Sequence, residues 1–179
     1  EEIYALIIYD LERAIAVLGD TYDDGERLRP NKFTAMALLA RVYLYLKDWE
    51  KAEVWSTQVI GSTENYALMN DLDAVFLANS REAIWQVSPV GSGSALTHTK
   101  EGNLFIILED PAYATPLSLS NSLVATFPDQ DFRANSWINT FSSGNNTYHY
   151  PYKYKIKYAS SGDITEYSMV LRLAEQYLI

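Results

Sequence analysis

The feature that most narrows the possible folds is a connection only two residues long. Lys47 and Asp48 separate two segments that both carry helical periodicity. Upstream, Met36, Leu39, Ala40, Tyr43 and Leu46 fall on one helix face; downstream, Ala52, Trp55 and Val59 do the same. Asp48 is a good N-cap for the downstream helix, and Gly61 closes it. So short a link leaves the two helices only an antiparallel hairpin. A third helical pattern opens the chain: Ile3, Ile7, Leu11, Ala14 and Leu18 step by 4, 4, 3 and 4, with Gly19 placed as a left-handed C-cap. A polar loop, residues 20–31 with Gly25 and Pro30, joins it to the hairpin.

The hairpin carries the spacing of a tetratricopeptide unit. Ala40, Tyr43 and Ala52 stand 3 and then 9 residues apart, and Lys47-Asp48-Trp49-Glu50-Lys51-Ala52 matches its turn and second-helix start. Ser56 departs from the later aromatic position. With only one such hairpin, an extended solenoid is not expected. Beyond Gly61 the pattern turns irregular. Ala83–Val87 reads as a short buried strand, and Ser120–Phe127 as a helical turn. Residues 141–147 read as a turn between two strands, the second being Tyr152, Tyr154, Ile156 and Tyr158 alternating with Lys153, Lys155 and Lys157. Ser168 is placed to cap a last helix with Val170, Leu173, Ala174 and Tyr177 on its apolar face. The expected fold is therefore mainly α: a tetratricopeptide-like helix hairpin plus irregular loops and a small β region. The expected single unit over 1–179 has a helical part at 1–61, an irregular part with short strands at 62–167 and a truncated helix at 168–179.

Composition excludes several function classes. The 179 residues carry 14 basic and 23 acidic side chains, a net charge of −9, and no basic patch that would neutralise nucleic-acid phosphates. No run approaches the roughly 18 apolar residues of a membrane-spanning helix. With no cysteine, there is neither a disulfide framework nor a thiolate site. His98 and His149 lie in loop-like or strand-edge contexts without partners for nucleophilic catalysis, and Gly91-x-Gly93 lacks the rest of a dinucleotide motif. Glu109-Asp110 and Asp129-x-Asp131 offer carboxylates, but a glycosidase needs two across one cleft, and the second pair lacks the glycine and terminal glutamate of a calcium loop. Asp131 and Arg133 read as a structural ion pair. No catalytic residue, metal site or cofactor is expected.

Aromatic residues are in surplus: 14 Tyr, 4 Trp and 6 Phe. Sugars present flat C–H faces that stack on such rings, while Asn, Asp and Arg bond their hydroxyls. Tyr43, Tyr45, Trp49, Trp55 and Trp85 sit in regular elements and read as packing residues. Phe105, Tyr113, Trp137 and Tyr148 fall in or near irregular regions and are the ligand candidates, with Asn103 as a polar partner. Lys153, Lys155 and Lys157 read as the charged face of a protected edge strand, and Asn145-Asn-Thr147 as a polar turn.

Six phrases together resemble the SusD/RagB family of surface nutrient-binding lipoproteins. They are Asp10-Leu-Glu-Arg-Ala14; Arg29-Pro-Asn-Lys32 with Ala35-Met-Ala-Leu-Leu-Ala-Arg-Val-Tyr-Leu-Tyr45; Asn79-Ser-Arg-Glu-Ala-Ile-Trp85; Leu123-Val-Ala-Thr-Phe127 with Asp131 and Arg133; Lys153-Tyr154; and Leu171-Arg-Leu-Ala-Glu175. Trp85 stands where the family has Phe, and Gln176 where it often has an apolar residue. The resemblance implies a middle-to-late portion of a longer outer-membrane protein, lipid-anchored at the cell surface through a segment absent from this chain. Such a protein binds an oligosaccharide or other nutrient and hands it to a TonB-dependent, SusC-like transporter, without catalysis. It also places ligand loops just after the Ala83–Val87 strand, at Ser88–Leu119. The competing readings are a tetratricopeptide-like protein-interaction module without a small ligand and, further off, a hydrolase. The apolar face of Val170–Tyr177 is expected to pack on Ile3–Leu18, on the hairpin or on a second copy, the chain being incomplete as a functional unit.

Overall fold

The computed structural model describes residues 2–89, 97–111, 117–158 and 163–179. The chain divides into two compact units. One comprises Glu1–Met69, Asn79–Val87 and Met169–Ile179, the other Asn70–Ala78 and Ser88–Ser168.

The first unit is built on three helices: α1 (Glu2–Val17), α2 (Lys32–Tyr45) and α3 (Trp49–Ile60). α2 is central, with Ala35, Met36, Ala37, Leu39, Ala40, Val42 and Tyr43 all buried. Its alanines let neighbours approach closely, and α1 and α3 both pack against it. The predicted hairpin is present. Asp48 caps α3 by accepting from Lys51 N, and α2 closes with Asp48 N bonded to Tyr43 O and Lys47 N to Leu44 O, both 3.0 Å. That bonding pattern demands a left-handed residue, and Lys47 supplies it at φ 61°.

Three sequence readings of this unit are corrected. Gly19 is not left-handed; α1 stops at Val17, and the Gly19 carbonyl instead receives Lys32 N at 2.8 Å. The packed face of α1 is wider than periodicity indicates and starts later: Ile8 and Ile15 join the expected Ile7, Leu11, Ala14 and Leu18 in being partly buried, while Ile3, Leu6, Tyr9 and Val17 are exposed. The last segment is not one helix from Ser168. Ser168–Arg172 forms strand β4, which pairs with β1 (Ala83–Val87), and α7 spans only Leu173–Gln176. The strand wins because it buries Leu171 with Ile84, Met36 and Val59 in one cluster, while Leu173 N bonds Glu82 O at 2.8 Å. The terminal segment thus packs with the hairpin through Leu171, Leu173 and Ile179, whereas Val170 and Tyr177 stay exposed.

Charged and polar groups seal this unit. Arg41 grips Glu175 with two bonds, Nε to Oε1 at 2.6 Å and Nη2 to Oε2 at 2.5 Å. Buried Glu82 accepts from Arg172 Nη1 at 2.9 Å and Met69 N at 3.2 Å. Arg27 is 8 % exposed and donates to Ala83 O and Asn65 O, each at 2.6 Å, between the rings of Tyr22 and Tyr66. Tyr22 gives its one proton to Ile84 O at 2.7 Å, so Tyr66 donates to Tyr22 at 2.8 Å, and Asn31 Nδ2 donates to Tyr66. Burial first, then the neighbouring Tyr66, holds the Tyr22 hydroxyl far above the ordinary tyrosine range. Trp85 uses the nitrogen that a Phe lacks: its Nε1 donates to Leu28 O at 3.1 Å.

Gln176 is the exception, 1 % exposed with both side-chain polar atoms unpaired. An unmet buried polar group costs about 1–3 kcal/mol. Gln176→Leu is therefore expected to stabilise the chain by about 2 kcal/mol, read as a higher urea midpoint. An unchanged or lower midpoint would show that the amide has partners in solution.

The second unit holds a 3₁₀ turn η1 (Leu72–Ala74), three short helices α4 (Lys100–Phe105), α5 (Asn121–Val124) and α6 (Phe132–Trp137), and a hairpin of β2 (Ile138–Ser143) and β3 (Asn146–Pro151). The strands pair antiparallel from Ile138 opposite Pro151 to Ser143 opposite Asn146, and Gly144 turns the link at φ 58°. The helical turn expected over Ser120–Phe127 is present as α5, capped by Ser120. The alternating Tyr152–Tyr158 segment, however, is not a strand, and the second hairpin strand precedes it. Lys153 is exposed, but Lys155 and Lys157 are drawn inward. Lys157 Nζ donates to Asn103 O and Ile106 O at 2.9 and 2.6 Å, and Lys155 Nζ to Ser136 O and Tyr152 O. Asn103 and Ser136 lie in the last turns of α4 and α6, where carbonyls lack intrahelical partners and attract cations. Supplying those donors outweighs strand pairing.

Candidate functional site

The sequence-derived ligand candidates all belong to the second unit, and the structure divides them into two groups. Trp137 ends α6. Its Nε1 donates to Leu72 O at 3.0 Å, and its ring meets Phe76 edge-on at 5.5 Å. Phe76 in turn packs on buried Tyr154, and Lys153 Nζ lies 5.3 Å from the Trp137 ring centre. The indole is thus half-buried, with its nitrogen committed to the 3₁₀ turn.

Asn103, Phe105 and Tyr148 form the other group. Asn103 lies on α4, held to the 152–158 segment by Nδ2 to Lys157 O at 3.4 Å and by Lys157 Nζ to its own carbonyl. Thr99 caps this helix by accepting from Gly102 N at 3.0 Å. Phe105 is the helix's last residue and is partly exposed. Tyr148 stands opposite Phe141 in the hairpin and packs on Ile106, Ile107 and Tyr150. Tyr113 lies outside the described residues.

A depression that sequence reasoning missed opens beside Trp137. It holds about 560 Å³ and is lined by Asp71, Asp73, Asn135, Asn139, Tyr152 and Lys155 among others. Lys155 Nζ sits 4.2 Å from the Tyr152 ring centre and 3.0 Å from Asp73 Oδ1. Asp71 Oδ1 caps η1 through Asp73 N. Both carboxylates are therefore engaged. One member of each other flagged pair is engaged as well: Asp110 Oδ2 accepts from Ser143 at 2.7 Å, and Asp131 holds Arg133 through both oxygens. Arg133's hydrogen bonds keep the Asp131 carboxyl below its usual range, as the ion-pair reading anticipated. Among the described residues, no group of three or more His, Asp or Glu is placed to hold a metal. Among them, too, no helix is long and apolar enough to cross a membrane. What the arrangement offers is amides and carboxylates for hydroxyl groups, beside aromatic rings. The depression's signal was hidden because Asp71 and Tyr152 are far apart in sequence.

Glu166 closes the same unit. It is 2 % exposed, bridges Leu77, and accepts Lys155 N at 2.6 Å through Oε1 while Oε2 has no partner. Burial pushes its carboxyl above the ordinary range. The folded state then binds this proton more tightly than the unfolded state does. The stability this provides is complete below the unfolded value near pH 4.3 and is lost as pH rises through the raised one. Glu166→Gln is expected to gain on wild type as pH rises through that window. A stability difference that stays flat from pH 4 to 7 in urea titrations would refute it.

No family model matches the sequence and no curated protein matches it at significance. Solved structures do match. A SusD-like carbohydrate-binding protein from Bacteroides vulgatus superimposes over 99 % of this chain at 21 % identity and a TM-score of 0.74. A surface glycan-binding protein A from Bacteroides uniformis does so over 99 % at 19 % and 0.74, and a SusD superfamily protein from Bacteroides vulgatus over 99 % at 24 % and 0.70. The chain has a SusD-like fold, mainly α with a small β region. It spans 38 %, 43 % and 40 % of those three chains.

Proposed function

We propose that this chain is part of a non-enzymatic glycan-binding protein at the cell surface. Anchored in the outer membrane by lipid on a segment outside this chain, it delivers an oligosaccharide to a TonB-dependent, SusC-like transporter. The observation that carries this is the SusD-like fold over 99 % of the chain, shared with a carbohydrate-binding protein and a surface glycan-binding protein. The polar, aromatic-flanked surface of the second unit supports it chemically. Contacts are assigned to Phe105 and Tyr113 in the Ser88–Leu119 stretch, with Asn103 as polar partner and Trp137 and Tyr148 as second platforms.

The test is titration calorimetry of the full-length protein and of Phe105→Ala, Tyr113→Ala and Trp137→Ala against a glycan panel. Each lost ring is expected to weaken binding about fivefold, since an aromatic contact is worth on the order of 1 kcal/mol. Wild-type affinity in all three variants would remove these residues from the site. A full-length protein that binds no glycan but retains a partner protein would instead favour the interaction-module reading, to which the exposed Ile3, Leu6, Tyr9 and Val17 of α1 would then contribute.

A further inference from the structure

A second pocket in the same unit involves none of the residues assigned above. It is open, holds about 660 Å³, and lies between Leu72 of η1 and the segment 128–133. That volume falls in the range of small-molecule sites. Its dominant apolar group is Phe132, 74 % exposed at the start of α6. An aromatic ring so exposed forgoes the hydration free energy that burial would release, and no aromatic or cationic partner covers its face among the described contacts. Beside it stand exposed Asp129 and Gln130, a carboxylate that accepts two hydroxyl protons and an amide that both donates and accepts.

We infer that this pocket is a sugar subsite, with Phe132 as stacking platform and Asp129 and Gln130 as the hydroxyl-binding groups. The inference rests on the glycan-binding reading and names a further subsite and its ligand class. The electrostatics select a neutral glycan. Among the described lining residues the cation is Arg133, which holds Asp131 by bonds of 2.9, 3.1 and 2.5 Å and lies over the Phe127 ring at 5.7 Å. Its Nε and Nη2 are spent on Asp131, whose charge offsets that of the guanidinium, so the pair offers no net positive charge to a sugar carboxylate. Asp129 adds a negative charge that repels one. A peptide is a poorer fit, because a docked helix or strand needs a continuous apolar face, and here a single ring is bordered by charged and amide groups.

The experiment uses the full-length protein with soluble starch, xylan, galactomannan and laminarin as neutral probes and polygalacturonate as the acidic one. Affinity electrophoresis selects the best glycan, and calorimetry measures it. Phe132→Ala is expected to weaken that glycan roughly fivefold, Asp129→Ala to weaken it too, and Phe132→Trp to match or exceed wild type. Circular dichroism confirms that the variants fold, as the exposure of both side chains implies. If Phe132→Ala and Asp129→Ala bind as wild type does, the subsite is wrong while glycan binding stands. If polygalacturonate is the best ligand, the neutral assignment is wrong. If wild type binds no glycan in the panel, both this inference and the glycan-binding reading fail.

Discussion

Replacing Arg27 with alanine is expected to cost about 4 kcal/mol. The guanidinium is almost wholly buried and holds two backbone carbonyls, Ala83 O on β1 and Asn65 O. Each carbonyl left bare costs about 1–3 kcal/mol. The two tyrosine rings at 5.0 and 5.1 Å lose a desolvated cation, worth about 1–2 kcal/mol together. Against a total stability of about 5–15 kcal/mol, the loss is severe. Arg27→Lys retains the charge but cannot span both carbonyls, so it should fall between the two. Urea unfolding followed by far-ultraviolet dichroism measures all three proteins. If Arg27→Ala and wild type have midpoints equivalent to within 1 kcal/mol, the buried network contributes little.

Gly102→Ala is expected to cost about 3 kcal/mol despite the better helix propensity of alanine. A Cβ there would stand 2.3 Å from Ile156 O and 3.3 Å from its carbonyl carbon. Those are backbone atoms, so no side chain can swing aside, and overpacking of this kind costs about 1–3 kcal/mol. Pushing α4 away would also strip Asn103 O and Ile106 O of the Lys157 ammonium. On an exposed helix the same change would gain about 1 kcal/mol, so the sign alone separates the two situations. Thermal melts are the measurement, and an unchanged or raised midpoint would mean that the segment at 156 yields freely.

The helices of the first unit were legible because their signals are local. A two-residue link and an Asp at the N-cap permit one geometry, and the structure has it. On α1 the expected face holds from Ile7 to Leu18 and widens to Ile8 and Ile15, because apolar residues stand side by side there, while Ile3 at the helix start is exposed. The end of the chain was misread for a different reason. Val170 to Tyr177 has helical spacing, but Leu171 is drawn into a strand by Ile84, which lies far away in sequence. The tyrosine–lysine alternation failed in the same way. Period 2 is a strand signal only where nothing competes for the side chains, and helix-end carbonyls elsewhere competed for these lysines. For the candidate site, sequence supplied the ring types and the region but not their depth. It could not show that Trp137 spends its nitrogen on η1, or that Phe132 stands in the open.

The pairing of β1 with β4, and of Arg41 with Glu175, has a consequence for the order of events on a ribosome. Arg41 and Glu175 are 134 residues apart in sequence, and Arg172 and Glu82 are 90 apart. The helix hairpin is local and can form as soon as it emerges, within microseconds. Its companion strand, and the charges that lock it, are synthesised long after it. Until Leu171 and Leu173 arrive, the apolar side of α2 and the edge of β1 wait uncovered, while the intervening residues leave the tunnel. Domains are made at about 5–20 residues per second, so that interval lasts many seconds. A nascent chain of this kind would present its exposed hairpin to chaperones throughout, and nonsense truncation just before β4 would leave it in that state permanently.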